Sequence, residues 1–248
     1  MKNKLFLGLL AVGSCAYLLR RLGMRWGATD NEVHSSLPGD DLVPHPMLET
    51  THAISMYASR DEVWPWLVQM GYDRGWWYTD SRWYQWVDKY IWHTSHPASP
   101  DHIIPELQHL EVGDTILDGP PGTAFFTVAK LEQALVLALY STTHILMMAP
   151  VSLRNNPKVG IHGEFSWVFV LDEREGGMTR LIVRTRASYE PKLFRILTRP
   201  VLLPADFLMA RMMLQTIKQR VEQTSAQTSE WVKRMVPYEV AAGKHAAH

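Results

Sequence analysis

Residues 204–224 read PADFLMARMMLQTIKQRVEQT. Met209, Met213, Ile217 and Val221 recur every four residues, with Ala210 and Leu214 beside them. Arg211, Lys218, Gln219 and Glu222 fall toward the other side. Apolar residues at that spacing line one face of a 3.6-residue helix. This is the longest helix that the sequence predicts. A helix with one apolar stripe must bury it against another layer.

That layer is expected just upstream. Asp114–Asp118, Ala124–Leu131, Ala134–Tyr140, Glu164–Leu171 (EFSWVFVL) and Thr179–Ser188 (TRLIVRTRAS) are short runs rich in β-branched and aromatic residues. Gly119-Pro120-Pro121-Gly122 and Glu175-Gly176-Gly177 supply turns, and Asn155-Asn156-Pro157 with Gly160 marks residues 150–160 as a loop. The pattern predicts an antiparallel meander.

Before the meander, His52–Ala58 reads as a strand. Ser59-Arg60-Asp61-Glu62 has the spacing of a capping box, followed by Val63, Trp66, Leu67 and Met70 at helical intervals. Pro65 is expected to kink that helix and Gly71 to stop it. Asp80–Trp92 is a second helix candidate, with Trp83, Trp86, Val87 and Tyr90 on one face. Pro97, Pro100 and Pro105 make the next stretch irregular, with one helical turn at Glu106–Leu110.

The N-terminus reads MKNKLFLGLLAVGSCAYLLRRLGMRW. Residues 5–19 are uncharged and mostly apolar, flanked by Lys2, Lys4, Arg20 and Arg21. Such a run fits a short membrane anchor with snorkelling flanks, a signal segment, or a buried or interfacial helix. The anchor is the preferred expectation, without a predicted side of the membrane. The polar, turn-rich stretch that follows reads as an extended linker. The expected organisation is an anchor over 1–25, a linker over 26–50, a globular domain over 51–225 and a tail over 226–248.

Charge excludes one class of partner. The 248-residue chain carries 25 Lys and Arg against 25 Asp and Glu, so no basic surplus exists to neutralise a nucleic acid. The single cysteine, Cys15, allows neither an internal disulfide nor a cysteine-based zinc site. No HExxH, phosphate-binding glycine loop or G-x-S-x-G elbow occurs, so neither a metal nor a cofactor is implied.

The order of elements is an α+β fold: a strand, two short helices, a curved antiparallel sheet and a long helix that the sheet wraps. It resembles the helix-grip fold of the START and birch-pollen-allergen superfamily, SRPBCC. RWGATDNEV (25–33), LPGDDLVP (37–44), EVWPWLVQMGYDRGWWY (62–78), IPELQHLEVGD (104–114), TRLIVRTR (179–186) and FLMARMMLQTIKQR (207–220) carry the resemblance. They look like bacterial members with an N-terminal hydrophobic segment, often labelled polyketide cyclase or dehydratase. The resemblance implies an internal pocket for an apolar or amphipathic molecule. Fold alone does not fix function.

Seven of the ten tryptophans lie within residues 64–92. Trp64, Trp66, Trp83 and Trp86 suit a core, and Trp83 and Trp86 are also candidate ligand contacts. Trp76, Trp77 and Tyr78 lie in a glycine-flanked loop at the expected pocket mouth, where they can line the pocket or face a membrane. Trp167, Met209 and Met213 complete the candidate ligand-binding set, methionine being suited to irregular space. Arg180, Arg184 and Arg186 share one face of a strand, the one opposite Leu181, Val183 and Thr185, and are expected on the outer surface. Asp73 and Arg74 are expected to form a surface ion pair.

Three functions fit. One is a membrane-tethered protein that binds a hydrophobic ligand. Another is an enzyme of the cyclase or dehydratase kind, with acid–base groups drawn from His144, His162, Glu164, Tyr78 or an inward arginine. The last is a partner-binding module with a solid core and an exposed aromatic loop.

Overall fold

A computed structural model describes residues 23–79, 98–149, 154, 160–191 and 194–235. Six strands form one antiparallel sheet in the order β1-β6-β5-β4-β3-β2. They are β1 (Leu48–Met56), β2 (Thr115–Leu117), β3 (Phe125–Glu132), β4 (Val136–Ser141), β5 (His162–Arg174) and β6 (Met178–Glu190). Strands β2 to β6 are the predicted meander, and β1 closes onto β6. Gly176 and Gly177 adopt the left-handed conformation that the β5–β6 hairpin turn requires.

The first strand begins four residues before the predicted start, because Leu48, Glu49, Thr50 and Thr51 pair with Ala187, Arg186, Thr185 and Arg184. Helix α2 (Arg60–Val68) starts on the predicted capping box. Ser59 Oγ accepts from the Glu62 amide, and the Glu62 carboxylate accepts from the Ser59 amide. Helix α3 (His144–Met148) was not expected from the sequence. The predicted turn at Glu106–Leu110 is a 3-10 turn at Pro105–Leu107. The predicted second helix, with Trp83 and Trp86, lies outside the described residues.

Helix α4 spans Phe194–Met235, longer at both ends than the apolar stripe predicts. It continues upstream through Pro200 and Pro204 and downstream past residue 225, into the stretch expected to be a tail. Its stripe packs on the inner sheet face as the sequence expects, with Ala210, Met213, Leu214, Ile217 and Val221 all buried. A curved antiparallel sheet with its C-terminal helix packed against it is the helix-grip arrangement. Leu137, Leu139, Phe169, Leu171, Leu181 and Val183 from the sheet meet that stripe in one core.

The expected linker is folded. Residues 26–47 form a strap over the other sheet face. Trp26 carbonyl accepts from the Ala53 amide, which covers the free edge of β1. Gly27 (φ +73°) makes that approach possible, since a Cβ there would lie 2.1 Å from the Ala53 oxygen. Helix α1 (Asp30–His34) follows, capped by Thr29 with Glu32, then a 3-10 turn at Asp40–Leu42. Leu42 packs on Val136, Ala138 and Val168 of the sheet.

The three arginines of β6 hold this strap. They are on the outer face, as their parity predicts, yet they are covered rather than at the surface. Arg184 is 1% exposed. It donates to Thr51 Oγ1, the Asp40 carboxylate and the carbonyls of Glu32, Val33 and Ser35. Arg180 grips both oxygens of Glu32 at 2.8 Å, and Arg186 donates to Glu49 and to the carbonyls of Asp40 and Val43. Polar turn residues read as linker because their partners lie about 150 residues away in sequence.

Among the described residues no helix is long and apolar enough to cross a membrane. The apolar run at 5–19 lies outside them.

Candidate functional site

The loop from Gly71 to Thr79 links α2 to the segment outside the described residues. Trp76 (φ 62°) and Tyr78 (φ 56°) adopt left-handed backbone angles. For residues with a Cβ each costs roughly 1–2 kcal/mol. Surrounding contacts hold the loop in place. The Tyr78 hydroxyl accepts from Gln69 Nε2 and donates to the Trp66 carbonyl. Gln69 also donates to the His102 carbonyl and accepts from the Ile104 amide. Arg74 donates to the carbonyls of Val68 and Leu107. Burial pulls the Arg74 guanidinium below its usual value, against the opposing charges of Asp73 and Asp114. Arg74 thus clasps the end of α2, and the expected surface pair with Asp73 is not its main engagement.

These contacts turn the loop inward. Trp77 is 3% exposed and Tyr78 is fully buried. Trp76 is half-buried, its ring lies tilted 5.0 Å from that of Tyr72, and it donates to Thr79 Oγ1. The exposed aromatic loop that a partner-binding module requires is therefore not what Trp77 and Tyr78 present, and neither faces a membrane.

Trp77 begins an aromatic wall on the inner sheet face. Its ring lies 5.2 Å from Trp167 and 5.9 Å from Phe126. Phe126 continues to Phe165 at 5.8 Å and to His144 at 4.2 Å. Alternation along β5 explains the wall, because Phe165, Trp167 and Phe169 point to one face. Met213 is fully buried in the same core, and Met209 packs partly buried against it.

Within this apolar setting Trp77 Nε1 and Trp167 Nε1 are both buried with no hydrogen-bond partner. Each unpaired donor costs on the order of 1–3 kcal/mol, and buried indole N–H groups usually find an acceptor. A third buried nitrogen without a partner, an acceptor, lies on the same sheet face two strands away. Trp167 pairs across the sheet with Thr185, which pairs with Thr50. Beside them Asp206 of α4 accepts from Thr50 Oγ1 at 2.7 Å, Thr185 Oγ1 at 3.0 Å and His52 Nε2 at 2.9 Å. Because a carboxylate only accepts, His52 carries its proton on Nε2, and Nδ1 is left buried and unpartnered.

The groups proposed from sequence for acid–base work do not converge. His144 is buried, with Nε2 2.9 Å from Asp118 Oδ2 and Nδ1 2.7 Å from Ser141 Oγ. His162 is exposed beside the Gly160 carbonyl. Glu164 is on the outer face, where it accepts from the Tyr140 hydroxyl. Burial, with the Glu164 carboxylate, pushes Tyr140 up to about 12. None of the three β6 arginines points inward.

Sequence reasoning missed His52 and Asp206. Two signals were present: Thr50, His52 and Thr185 interrupt the apolar parity of the inner face, and Asp206 precedes Ala210 and Met213 on the buried stripe. It also missed the Thr29–Glu32 capping box, which has the same spacing as the one at Ser59. Among the described residues no group of three His, Cys, Asp or Glu side chains can hold a metal.

No family description matches the chain, and none of the curated proteins does. Solved structures give low likeness. Protein MLL2253 from Mesorhizobium loti is 13% identical with a TM-score of 0.37, over 70% of this chain and 98% of that one. The Aha1 dimer from Colwellia psychrerythraea gives 18% and 0.34, over 69% and 98%. CalU16 from Micromonospora echinospora gives 16% and 0.31, over 72% and 86%. Likeness of this size carries no argument about function, which rests on the residues themselves.

Proposed function

We propose that the domain binds an apolar or amphipathic small molecule carrying a hydrogen-bond acceptor, held between the sheet and α4. The carrying observation is the pair of orphaned indole donors, Trp77 Nε1 and Trp167 Nε1, on two rings of the aromatic wall whose centroids lie 5.2 Å apart. A ligand carbonyl or ether oxygen would satisfy them while its apolar body covers the rings. Both nitrogens are closed off by packing, so entry requires movement. The loop from Gly71 to Thr79, with two strained residues, is the natural gate. Trp76, Tyr78, Met209 and Met213, with Trp83 and Trp86 from the undescribed segment, remain contacts in this reading. The apolar run at 5–19 would tether the domain to a membrane that supplies the ligand.

Native mass spectrometry of the full chain from its own host tests this, with Trp77→Phe and Trp167→Phe as comparisons. These variants keep a ring and delete one donor. The expected result is a retained apolar molecule in the wild type and reduced occupancy in both variants. A chain that is empty, and that takes up no apolar fluorescent probe, would sink the proposal.

A second reading, acid–base turnover of that ligand, is favoured by His52. Asp206 orients its ring and leaves Nδ1 as the open nitrogen, on the same inner face as Trp167. Once the ligand is known, His52→Gln separates the readings: binding persists and turnover stops if His52 is a base. Unchanged turnover in that variant would remove His52 from the chemistry.

A further inference from the structure

Helix α4 carries a second apolar stripe, on the side away from the sheet. By helical period Phe194, Leu197, Val201, Pro204 and Leu208 stack along one face of its first half. Asp206, bonded to β1 and β6, and the buried Ala210 each sit about 160° round the helix from Leu208. Pro204, Ala205 and Leu208 are exposed, Leu208 at 37%. One exposed leucine needs no explanation, but an apolar stripe about four turns long on a helix already packed on its other side does.

Charge beside the stripe has one sign. Lys192, Arg195 and Arg199 lie between Pro191 and Ala205, a stretch with no acidic residue. By the same period Arg195 and Arg199 fall on the side opposite Leu208. Arg20 and Arg21, at the end of the apolar run 5–19, add to them. An apolar helix face with a basic opposite side is the composition of a helix that lies in the plane of an anionic membrane surface.

The N-terminal segment brings such a surface to this face. Residues 23–25 are helical. A Cβ added at Gly23 would lie 4.0 Å from Phe207 Cβ, and the Arg211 guanidinium stands over the Trp26 ring at 5.7 Å. Gly23 thus meets Phe207 and Trp26 meets Arg211, so the segment runs in the same direction as α4. Its upstream end points toward the first half of that helix. From Leu19 to Gly23 the chain spans at most about 14 Å. A bilayer that holds the run at 5–19 therefore comes within reach of the stripe.

We infer that the outward face of α4, from Phe194 to Leu208, lies on an anionic bilayer surface and docks the domain there. The inference rests on the reading of residues 5–19 as a membrane tether. Tyr57 marks the far end of the domain. It is 70% exposed, and its amide donates to Glu222, about 21 Å along α4 from Leu208.

Contact quenching on the full chain tests this. Cys15→Ser removes the native thiol, and Leu208→Cys or Tyr57→Cys then carries a single NBD fluorophore at an exposed position. The vesicles are phosphatidylcholine with or without phosphatidylglycerol. Quenching by a nitroxide on the lipid is compared with quenching by aqueous iodide. The expected result, in anionic vesicles, is several-fold stronger nitroxide quenching at position 208 than at position 57, with protection from iodide at 208 only. Iodide access at 208 equal to that at 57, on a chain that stays with the vesicles, overturns the docking and leaves the tether standing. Protection at 208 from both quenchers also overturns it, because protein then covers the face, either the run at 5–19 or a second copy. Equal nitroxide contact in neutral vesicles overturns the assignment to anionic lipid. A chain that does not sediment with the vesicles overturns tether and docking together.

Discussion

Arg184 Nη1 lies 2.7 Å from Asp40 Oδ2, joining the last long strand to the strap across 144 residues of chain. The guanidinium is buried, and its planar fork serves five acceptors at once. A lysine ammonium cannot reproduce that geometry. Removing one partner of a buried pair typically costs roughly 3–5 kcal/mol, because the other charge is left uncompensated. Arg184→Lys and Arg184→Met should therefore both lower stability in urea unfolding by a few kcal/mol. Amide hydrogen exchange should rise across residues 29–47 in both. Protection there equal to wild type would show that the arginine does not hold the strap.

Glu32 predicts an acid-sensitive strap. Burial pushes its carboxyl up, but hydrogen bonds from Arg180 and Thr29, with the Arg180 charge, outweigh burial and hold it at about 2 against an ordinary 4.5. A carboxyl lowered by folding stabilises above its unfolded value. That contribution is lost as pH falls from about 4.5 toward 2. Its size is on the order of 3 kcal/mol. Glu32→Gln should be less stable at neutral pH, and its stability should change less with pH across that window. Parallel wild-type and variant curves would contradict the linkage.

The cap of α2 makes a smaller, local prediction. Ser59→Ala removes the acceptor for the Glu62 amide and should cost about 1 kcal/mol, whereas Ser59→Gly should cost only a few tenths. Denaturant midpoints of the two variants would check the order.

Two glycines separate backbone strain from crowding. Gly39 (φ +100°) and Gly113 (φ +101°) share a left-handed backbone, but a Cβ at Gly39 would sit 2.8 Å from Val168 Cγ2 while one at Gly113 meets nothing within 4 Å. Gly113→Ala should cost about 1–2 kcal/mol from conformation alone. Gly39→Ala should cost more by the overpacking contribution, about 1–3 kcal/mol further. Equal losses would mean that the strap yields at Leu37–Leu42 without resistance.

What the sequence determined by itself is whatever depends on neighbours along the chain. The capping box at Ser59, the alternation of β5 and β6, the hairpin glycines and the stripe of α4 from Met209 to Val221 are all written within a few residues of where they act. The inner and outer faces of β6 follow from parity alone, so Arg180, Arg184 and Arg186 were correctly placed opposite the helix. Tertiary structure decided what covers each face. The strap looked like a linker because the donors for Glu32 and Asp40 lie on a distant strand, and polar residues read as solvated until those donors are found. Helix α4 crosses Pro200 and Pro204, where local preference would start or bend it. Trp77 became interior because Tyr78 ties its loop to Trp66 and Gln69, while Gln69 and Arg74 reach residues 102–108. The orphaned nitrogens of Trp77, Trp167 and His52 follow from burial. Burial is a sum over contacts distant in sequence, and no local pattern encodes it.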